Sequence, residues 1–354
     1  MMMIPLAHSQ PPKQGRRFLI IRTDRIGDVV LSTPVLTAIR HSFPGCFIAM
    51  LLRPYTAEVV DGHPDLDLIL LEEPQQSLTA LVQTIRQPRF DTVLLLHPTA
   101  RLALACRLAG IPHRFGTGYR AYSLLFNHRV YQHRKQNTLH EVDLNLKLAE
   151  AAGAHLDHVK FNLIIPELAA RNVDLLLRQN GLSPQQPFVI LHPGSGGSAL
   201  NWPPPYFAKL ATWLHQQRHL PIVITGTDAE EALITKIVQK AHCPVIRLDG
   251  KLSIKELTAL LHRARLLITN STGPLHLAVA LGTEVIGLYC PIKACSPVRW
   301  GPYQRPDSVL VPEVPYCERC VQDGCRYLNC MELISVEQVL DLAEKKLNLT
   351  GVAL

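Results

Sequence analysis

No apolar run in this 354-residue chain approaches the roughly 18 uninterrupted residues needed to cross a bilayer, so no transmembrane helix is expected. Met1 to Arg17 carries proline and polar residues where a signal peptide would place its apolar centre, which argues against export and for a cytoplasmic protein. A long basic run is missing too. The net charge of +7 arises from 36 Lys and Arg against 29 Asp and Glu spread along the chain. Nucleic acid is therefore not an expected partner. A mild, diffuse excess suits a cleft for polyanionic small molecules, contact with an acidic membrane surface, or a plain solubility surface. The absence of G-x-x-x-x-G-K-[ST] disfavours a P-loop nucleotide site, and the absence of a G-x-S-x-G elbow leaves a serine hydrolase without support. Nine cysteines in a chain not built for export read as thiols or metal ligands before they read as a disulfide framework.

With 47% hydrophobic residues, the chain has enough apolar material for two cores. In the first half, Phe18 to Arg22, Phe47 to Leu52, Leu68 to Leu71 and Thr92 to Leu96 read as strands, separated by helical patterns such as Val29 to His41. The pattern becomes irregular from Ile111 to Asn137, dense in Arg, His and Tyr, before a helix from Leu139 to Ala152. After a helix around Ala169 to Gln179, strands recur at Phe188 to Leu191, Ile222 to Thr225, Val245 to Leu248, Leu266 to Thr269 and Glu284 to Tyr289. Strands alternating with helices mean βαβ units, so the fold class is α/β with two Rossmann-like halves and a cleft between them. The expected division is a disordered extension at 1–15, one domain at 16–175 and another at 176–354. Ligands of such sheets bind at the carboxyl ends of the strands.

The most informative loop is Asn270-Ser271-Thr272-Gly273-Pro274-Leu275-His276, between a buried strand and a helix. Proline at a first helical position behind hydroxyl residues marks a helix start, whose free N–H groups and positive dipole suit an anion, phosphate above all. The bland reading is a capped turn. After the first strand, Thr23-Asp24-Arg25-Ile26-Gly27-Asp28 sets Asp28 at or near a helix start, as a cap or as a general base. A helix start lowers an aspartate's pKa, so a basic Asp28 requires burial.

The loop His192 to Ala199 is rich in Gly and Ser and suits an anion; it imitates a dinucleotide fingerprint, but Leu200 to Pro205 delays the helix. Gly226 to Glu230 and Asp249 to Leu252 follow the next two strands, with Ser253 and Glu256 forming a capping box. Glu230 is a candidate for ribose hydroxyls, and the backbone near Lys251 and Leu252 for a base. Four loops on one sheet edge, two suited to phosphate, suggest a nucleotide diphosphate.

Taken together, Gly27-Asp28, His192-Pro193-Gly194-Ser195 with Asn201-Trp202-Pro203, and Asn270 to His276 with Leu277-Ala278 resemble glycosyltransferase family 9, the heptosyltransferases of lipopolysaccharide core synthesis. The resemblance runs from about Arg17 to the C-terminus. It implies a GT-B fold and an inverting, metal-independent transfer of heptose from ADP-heptose to a lipid-anchored sugar acceptor. Asp28 matches the catalytic base. Ser195, Gly196, Ser271, Thr272, Gly273 and His276 match the donor loops, with Glu230 and Leu252 matched more loosely to ribose and adenine. Arg53, Arg101, Arg114, Arg120 and His140 fall in the acceptor-binding N-terminal domain, where guanidinium groups suit phosphate and carboxylate. Two positions depart: Ser271 stands where many members carry Asp, and Leu200 where many carry Lys.

The resemblance further implies a monomer at the cytoplasmic face of the inner membrane, with its last helix, Val336 to Leu347, packed back toward the N-terminal domain. Alternatives are a GT-B transferase for another nucleotide sugar, or a decayed sugar-nucleotide binding protein. Cys317, Cys320, Cys325 and Cys330 set four thiols within 14 residues, a candidate structural zinc site with disulfides or plain thiols as the alternatives.

Overall fold

The computed structural model describes residues 4–5, 15–183, 185–320, 325–327 and 329–349. The chain forms two compact units, Met1–Ile164 and Ile165–Leu354.

The first unit runs β1 (Ile4–Pro5), β2 (Arg17–Ile21), α1 (Ile26–Val30), α2 (Thr33–Ser42), β3 (Phe47–Leu52), β4 (Leu68–Leu71), α3 (Leu78–Arg86), β5 (Thr92–Leu95), α4 (Ala100–Leu108), β6 (His113–Thr117), β7 (His128–Val130) and α5 (Glu141–Ala151). The sheet order is β1-β4-β3-β2-β5-β6-β7, with β1 antiparallel to β4 and every other pair parallel. All six residues of β3 are buried, as a parallel strand covered on both faces requires. Leu19, Ile21, Leu51 and Leu95 of the central strands pack with Leu81 and Ile85 of α3 and Leu102 of α4.

The second unit runs α6 (Glu167–Gln179), β8 (Val189–His192), α7 (Pro204–Arg218), β9 (Ile222–Ile224), α8 (Glu231–Lys240), β10 (Val245–Arg247), α9 (Ile254–Arg263), β11 (Leu266–Asn270), α10 (Gly273–Ala280), β12 (Glu284–Leu288), α11 (Pro297–Trp300), β13 (Val309–Leu310) and α12 (Val336–Leu349). Its parallel sheet has the order β10-β9-β8-β11-β12-β13. Trp202 stands at the centre of the core. It is fully buried, meets Phe207 edge-on at 4.9 Å, and donates from Nε1 to the carbonyl of Ile334 at 2.8 Å. Truncation removes both a large apolar volume and that bond. Trp202→Ala is expected to cost about 3–5 kcal/mol in urea unfolding; a loss below about 1 kcal/mol would contradict this packing.

The structure departs from the sequence expectations at identifiable places. The helix expected over Val29 to His41 is two helices, because Pro34 lies in the first turn of α2 and cannot donate to the preceding turn; Ser32 Oγ bonds Asp28 O instead, at 2.8 Å. The irregular stretch contains β6 and β7, whose His and Arg hide them from an apolar-run reading. Within the expected extension, Ile4 and Pro5 pair with Ile69 and Leu68; residues 1–3 and 6–14 lie outside the described residues.

The domain boundary falls at 164/165 and not 175/176, since α6 belongs wholly to the second unit. Asn172 Nδ2 donates to Glu256 of α9 at 3.0 Å, and Arg263 pairs with Asp174. Within the second unit the last helix is anchored by buried Val339 and Ala343 and by Arg218–Glu344 at 2.5 Å. Among the described residues no helix is long and apolar enough to cross a membrane.

Candidate active site

In the first unit the chain leaves β2 through Arg22, Thr23, Asp24 and Arg25 and enters α1, whose first turn carries Asp28. Arg22 is only 2% exposed, and a guanidinium so far from water needs partners on every side. It donates from Nε to Asp24 at 2.8 Å, from Nη1 to Glu141 at 2.8 Å and Asn145 at 3.3 Å, and from Nη2 to Asp28. Arg134 also pairs with the fully buried Glu141. Asn145 Nδ2 donates to Leu31 O at 3.1 Å and bonds Ser32 Oγ at 3.2 Å, tying α5 to the junction of α1 and α2.

Burial opposes the Arg22 charge, yet Asp24, Asp28 and Glu141 outweigh it and hold the guanidinium above its ordinary pKa. At Asp28 the balance is different. Desolvation pushes its carboxyl up to about 6, with Arg22 opposing and Asp24 and Glu141 adding to the rise. The burial that a basic Asp28 requires is therefore present, and it outweighs both the arginine and the helix start. The result is a carboxylate suited to accept a proton near neutral pH.

Two of the anticipated acceptor residues converge. Arg53 Nε donates to Thr23 O at 3.3 Å, beside the Asp28 loop, and lies 3.9 Å from the buried Glu72, which Arg101 reaches at 3.4 Å. His140 caps α5, its Nδ1 accepting from Val142 N at 3.2 Å, one residue before Glu141. Arg120 is exposed at the start of the turn Ala121–Leu125. Arg114 is structural instead: Nε donates to Leu125 O at 2.8 Å, and Nη1 to the carbonyls of Ile111 and Pro112.

In the second unit Asn270, fully buried at the end of β11, joins the loops. It accepts from Trp202 N at 2.9 Å and donates to Pro193 O. Thr272 is extended (φ −157°, ψ 168°) and makes no side-chain cap to α10. Pro274 has no N–H and Leu275 N turns back to Thr272 O at 3.2 Å, which leaves the amides of Thr272 and Gly273 for an anion. Ser271 is buried, its N donating to Leu288 O at 3.2 Å, and lies near Tyr289, whose hydroxyl donates to Trp300 O at 2.6 Å. His276 is buried in the first turn of α10.

The Gly-Ser loop is braced differently from its sequence reading. Both serine hydroxyls turn inward: Ser195 Oγ donates to Ala199 O at 2.8 Å, and Ser198 Oγ to Ser195 O at 2.6 Å. Gly196 N donates to Glu230 at 3.2 Å, and Thr227 N and Oγ1 bond the other oxygen of the same carboxylate at 2.9 and 3.0 Å. Burial works against the Glu230 charge, but these bonds and nearby His192 hold its pKa below the usual value. A Cβ at Gly194 would lie 1.7 Å from Glu230 Oε1, so a larger residue there would push this carboxylate off Gly196 N. His192 is pushed down to about 4 by burial and shares a 2.9 Å bond with Thr225 Oγ1. Leu252 is half-buried after β10. Beside it, Asp228, Glu231, Arg247, Asp249 and Lys251 line a polar recess of about 470 Å³.

The four cysteines singled out for zinc lie within electrostatic reach of one another. Among the described residues, no three of the sulfurs of Cys317, Cys320, Cys325 and Cys330 lie within 4.8 Å of one another. Cys317 is held by Pro291 O (2.7 Å from N, 3.3 Å from Sγ), while Cys330 is buried in the core. Residues 321–324 lie outside the described residues. Sequence reading passed over the role of Arg22; the available signal was a lone arginine closing an otherwise apolar strand.

Two Rossmann-like units, one with a desolvated aspartate after its first strand and one with anion-suited loops, match the architecture of GT-B glycosyltransferases. The chain belongs to glycosyltransferase family 9 (heptosyltransferase), whose family model matches residues 78–331. It is 24% identical over 304 residues to the lipopolysaccharide core heptosyltransferase OpsX of Haemophilus influenzae, covering 82% of this chain and 83% of that one. A solved family 9 glycosyltransferase from Veillonella parvula superposes with a TM-score of 0.82 at 22% identity, over 94% of this chain and 97% of that one. The Escherichia coli heptosyltransferase WaaC with ADP gives 0.72 at 17% identity, over 93% and 99%.

Proposed function

We propose that this enzyme is an inverting heptosyltransferase that moves heptose from ADP-heptose to a lipopolysaccharide inner-core acceptor. The observation that carries the reading is the Asp28 carboxylate, desolvated and pushed up to about 6 while held on buried Arg22. Asp28 takes the proton of the acceptor hydroxyl as that oxygen bonds the anomeric carbon of heptose. The bond from that carbon to the diphosphate breaks on the opposite face, and ADP departs. Charge growing on the leaving phosphate is met by the Thr272 and Gly273 amides and the dipole of α10. Ser195 and Gly196 shape the facing loop, with Ser271 and His276 lining the same turn, and Glu230 and Leu252 take ribose and adenine.

Arg53 and Arg101, with Arg120 and His140, receive phosphate or carboxylate groups of the acceptor. No metal enters the reaction, and the cysteine segment has no part in it. The enzyme acts as a monomer at the cytoplasmic face of the inner membrane, where a lipid-anchored acceptor is found.

A second reading, another nucleotide sugar, is favoured by Ser271, a short uncharged residue where many family members carry a carboxylate. Incubation with ADP-heptose and truncated lipopolysaccharide tests the choice. The expected result is a product whose new anomeric configuration, read by NMR, is opposite to that of the donor. Retention overturns the mechanism, and ADP binding without turnover selects a decayed binding protein.

The pH dependence has a definite sign. Asp28 must be ionised to accept a proton, and its folded pKa is raised from 3.8 to about 6. The kcat/KM value is therefore expected to fall about tenfold per unit as pH drops below about 6. A profile flat to pH 4.5 would remove Asp28 as the base.

A further inference from the structure

The edge of the first sheet carries exposed groups beyond those assigned to the acceptor. Between Thr92 and His140 the chain has six Arg, one Lys and no Asp or Glu; with Arg101 and Arg120 assigned to the acceptor, Arg114 bonded to carbonyls and Arg134 paired with Glu141, exposed Arg107 and Arg129 remain. Edge strand β7 and the turn Ala121–Leu125 gather part of this charge beside exposed apolar groups. Leu124 is 75% exposed, Tyr131 62% and Tyr119 45%. The tyrosines pack on one another, and the Leu124 turn is fastened to β7. The rings of Tyr119 and Tyr131 meet edge-on at 5.3 Å, Tyr119 Oη lies 2.7 Å from His133 Nε2, and Arg129 Nε donates to Ser123 O at 3.0 Å, fastening the turn to β7. Gly118 lets the Tyr131 ring lie on the backbone, since a Cβ there would come within 2.4 Å of it.

A single exposed leucine is ordinary. An exposed leucine on a turn fastened to an edge strand that carries an exposed arginine, with two exposed and mutually packed tyrosines next to these elements in the chain, has the composition of an interfacial anchor. The leucine enters the acyl boundary, phenol rings settle at headgroup level, and guanidinium groups face lipid phosphate. A nucleic acid would use the charge but gain nothing from Leu124.

We propose that the turn Ala121–Leu125, with Tyr119 and Tyr131, is the surface by which this protein docks on a bilayer containing anionic lipid. The inference deepens the reading of a lipid-anchored acceptor and rests on it for its purpose. Its test uses neither donor nor acceptor, so the two can fail separately.

The full chain is floated with vesicles of phosphatidylcholine alone or with about one third phosphatidylglycerol, at low and high salt. Binding is expected with the anionic vesicles only, weakened by salt. Leu124→Glu is expected to reduce it at least about tenfold without lowering Tm, because the side chain is solvated in the fold. Tyr131→Ser should weaken it in the same direction. Undiminished binding by Leu124→Glu, or equal binding to neutral vesicles, overturns the proposal. So does tight RNA binding indifferent to Leu124→Glu, or a dimer that this substitution splits. Vesicle binding that depends on Leu124 in a protein without heptosyl transfer would support docking and remove the transferase reading.

Discussion

Asp28→Asn is expected to lower kcat by about 10³-fold while leaving the ADP-heptose Kd within about twofold. The amide keeps the shape of the carboxyl group and removes its ability to take a proton, so the loss reports on the chemical step. Unfolding is a poor alternative explanation. Arg22 keeps Asp24 and Glu141 as partners, so no guanidinium is stranded. Because the folded pKa of Asp28 is raised, its neutral form favours folding, and that contribution is lost as pH rises from 3.8 through about 6. At pH 7.5 the neutral asparagine should therefore have a Tm at least equal to that of the parent. Rate is measured by steady-state kinetics, affinity by calorimetry and Tm by calorimetric scans. A variant turning over at near the parental rate would end the base assignment.

Gly273→Asp is expected to weaken ADP binding about 100-fold. Two like charges roughly 4 Å apart at an effective dielectric of 20 repel by about 4 kcal/mol, and solvent screening still leaves a two-decade loss. The helix itself should tolerate the change, since an acidic residue in the first turn of a helix opposes its dipole favourably. Affinity and stability are thus predicted to separate, with ADP binding lost by calorimetry and Tm held. Unchanged affinity would take the phosphate role away from this helix start.

The strands that bear the loops were legible because a parallel strand covered on both faces is apolar throughout, as in Phe47–Leu52. The polar strand His113–Thr117 and its edge neighbour His128–Val130 were not, for the same reason reversed. Asp28 could be found from its place after a strand and a glycine. Its basicity could not, because it comes from burial and from the nearby carboxylates of Asp24 and Glu141, and Glu141 is brought in by a bond to Arg22 from 119 positions along the chain. The Gly-Ser loop likewise showed its glycines in the sequence, whereas the inward turn of Ser195 and Ser198 and the bracing carboxylate of Glu230 follow from how three loops meet. Local chemistry reads from a sequence, and the partners that tune it come from topology.

The most direct test is a donor screen, in which the protein and truncated lipopolysaccharide are offered ADP-heptose and a panel of other nucleotide sugars, with products read by mass spectrometry. A mass increase of one heptosyl group from ADP-heptose, absent with the other donors, is the predicted result. Product from a different nucleotide sugar, with none from ADP-heptose, would contradict it.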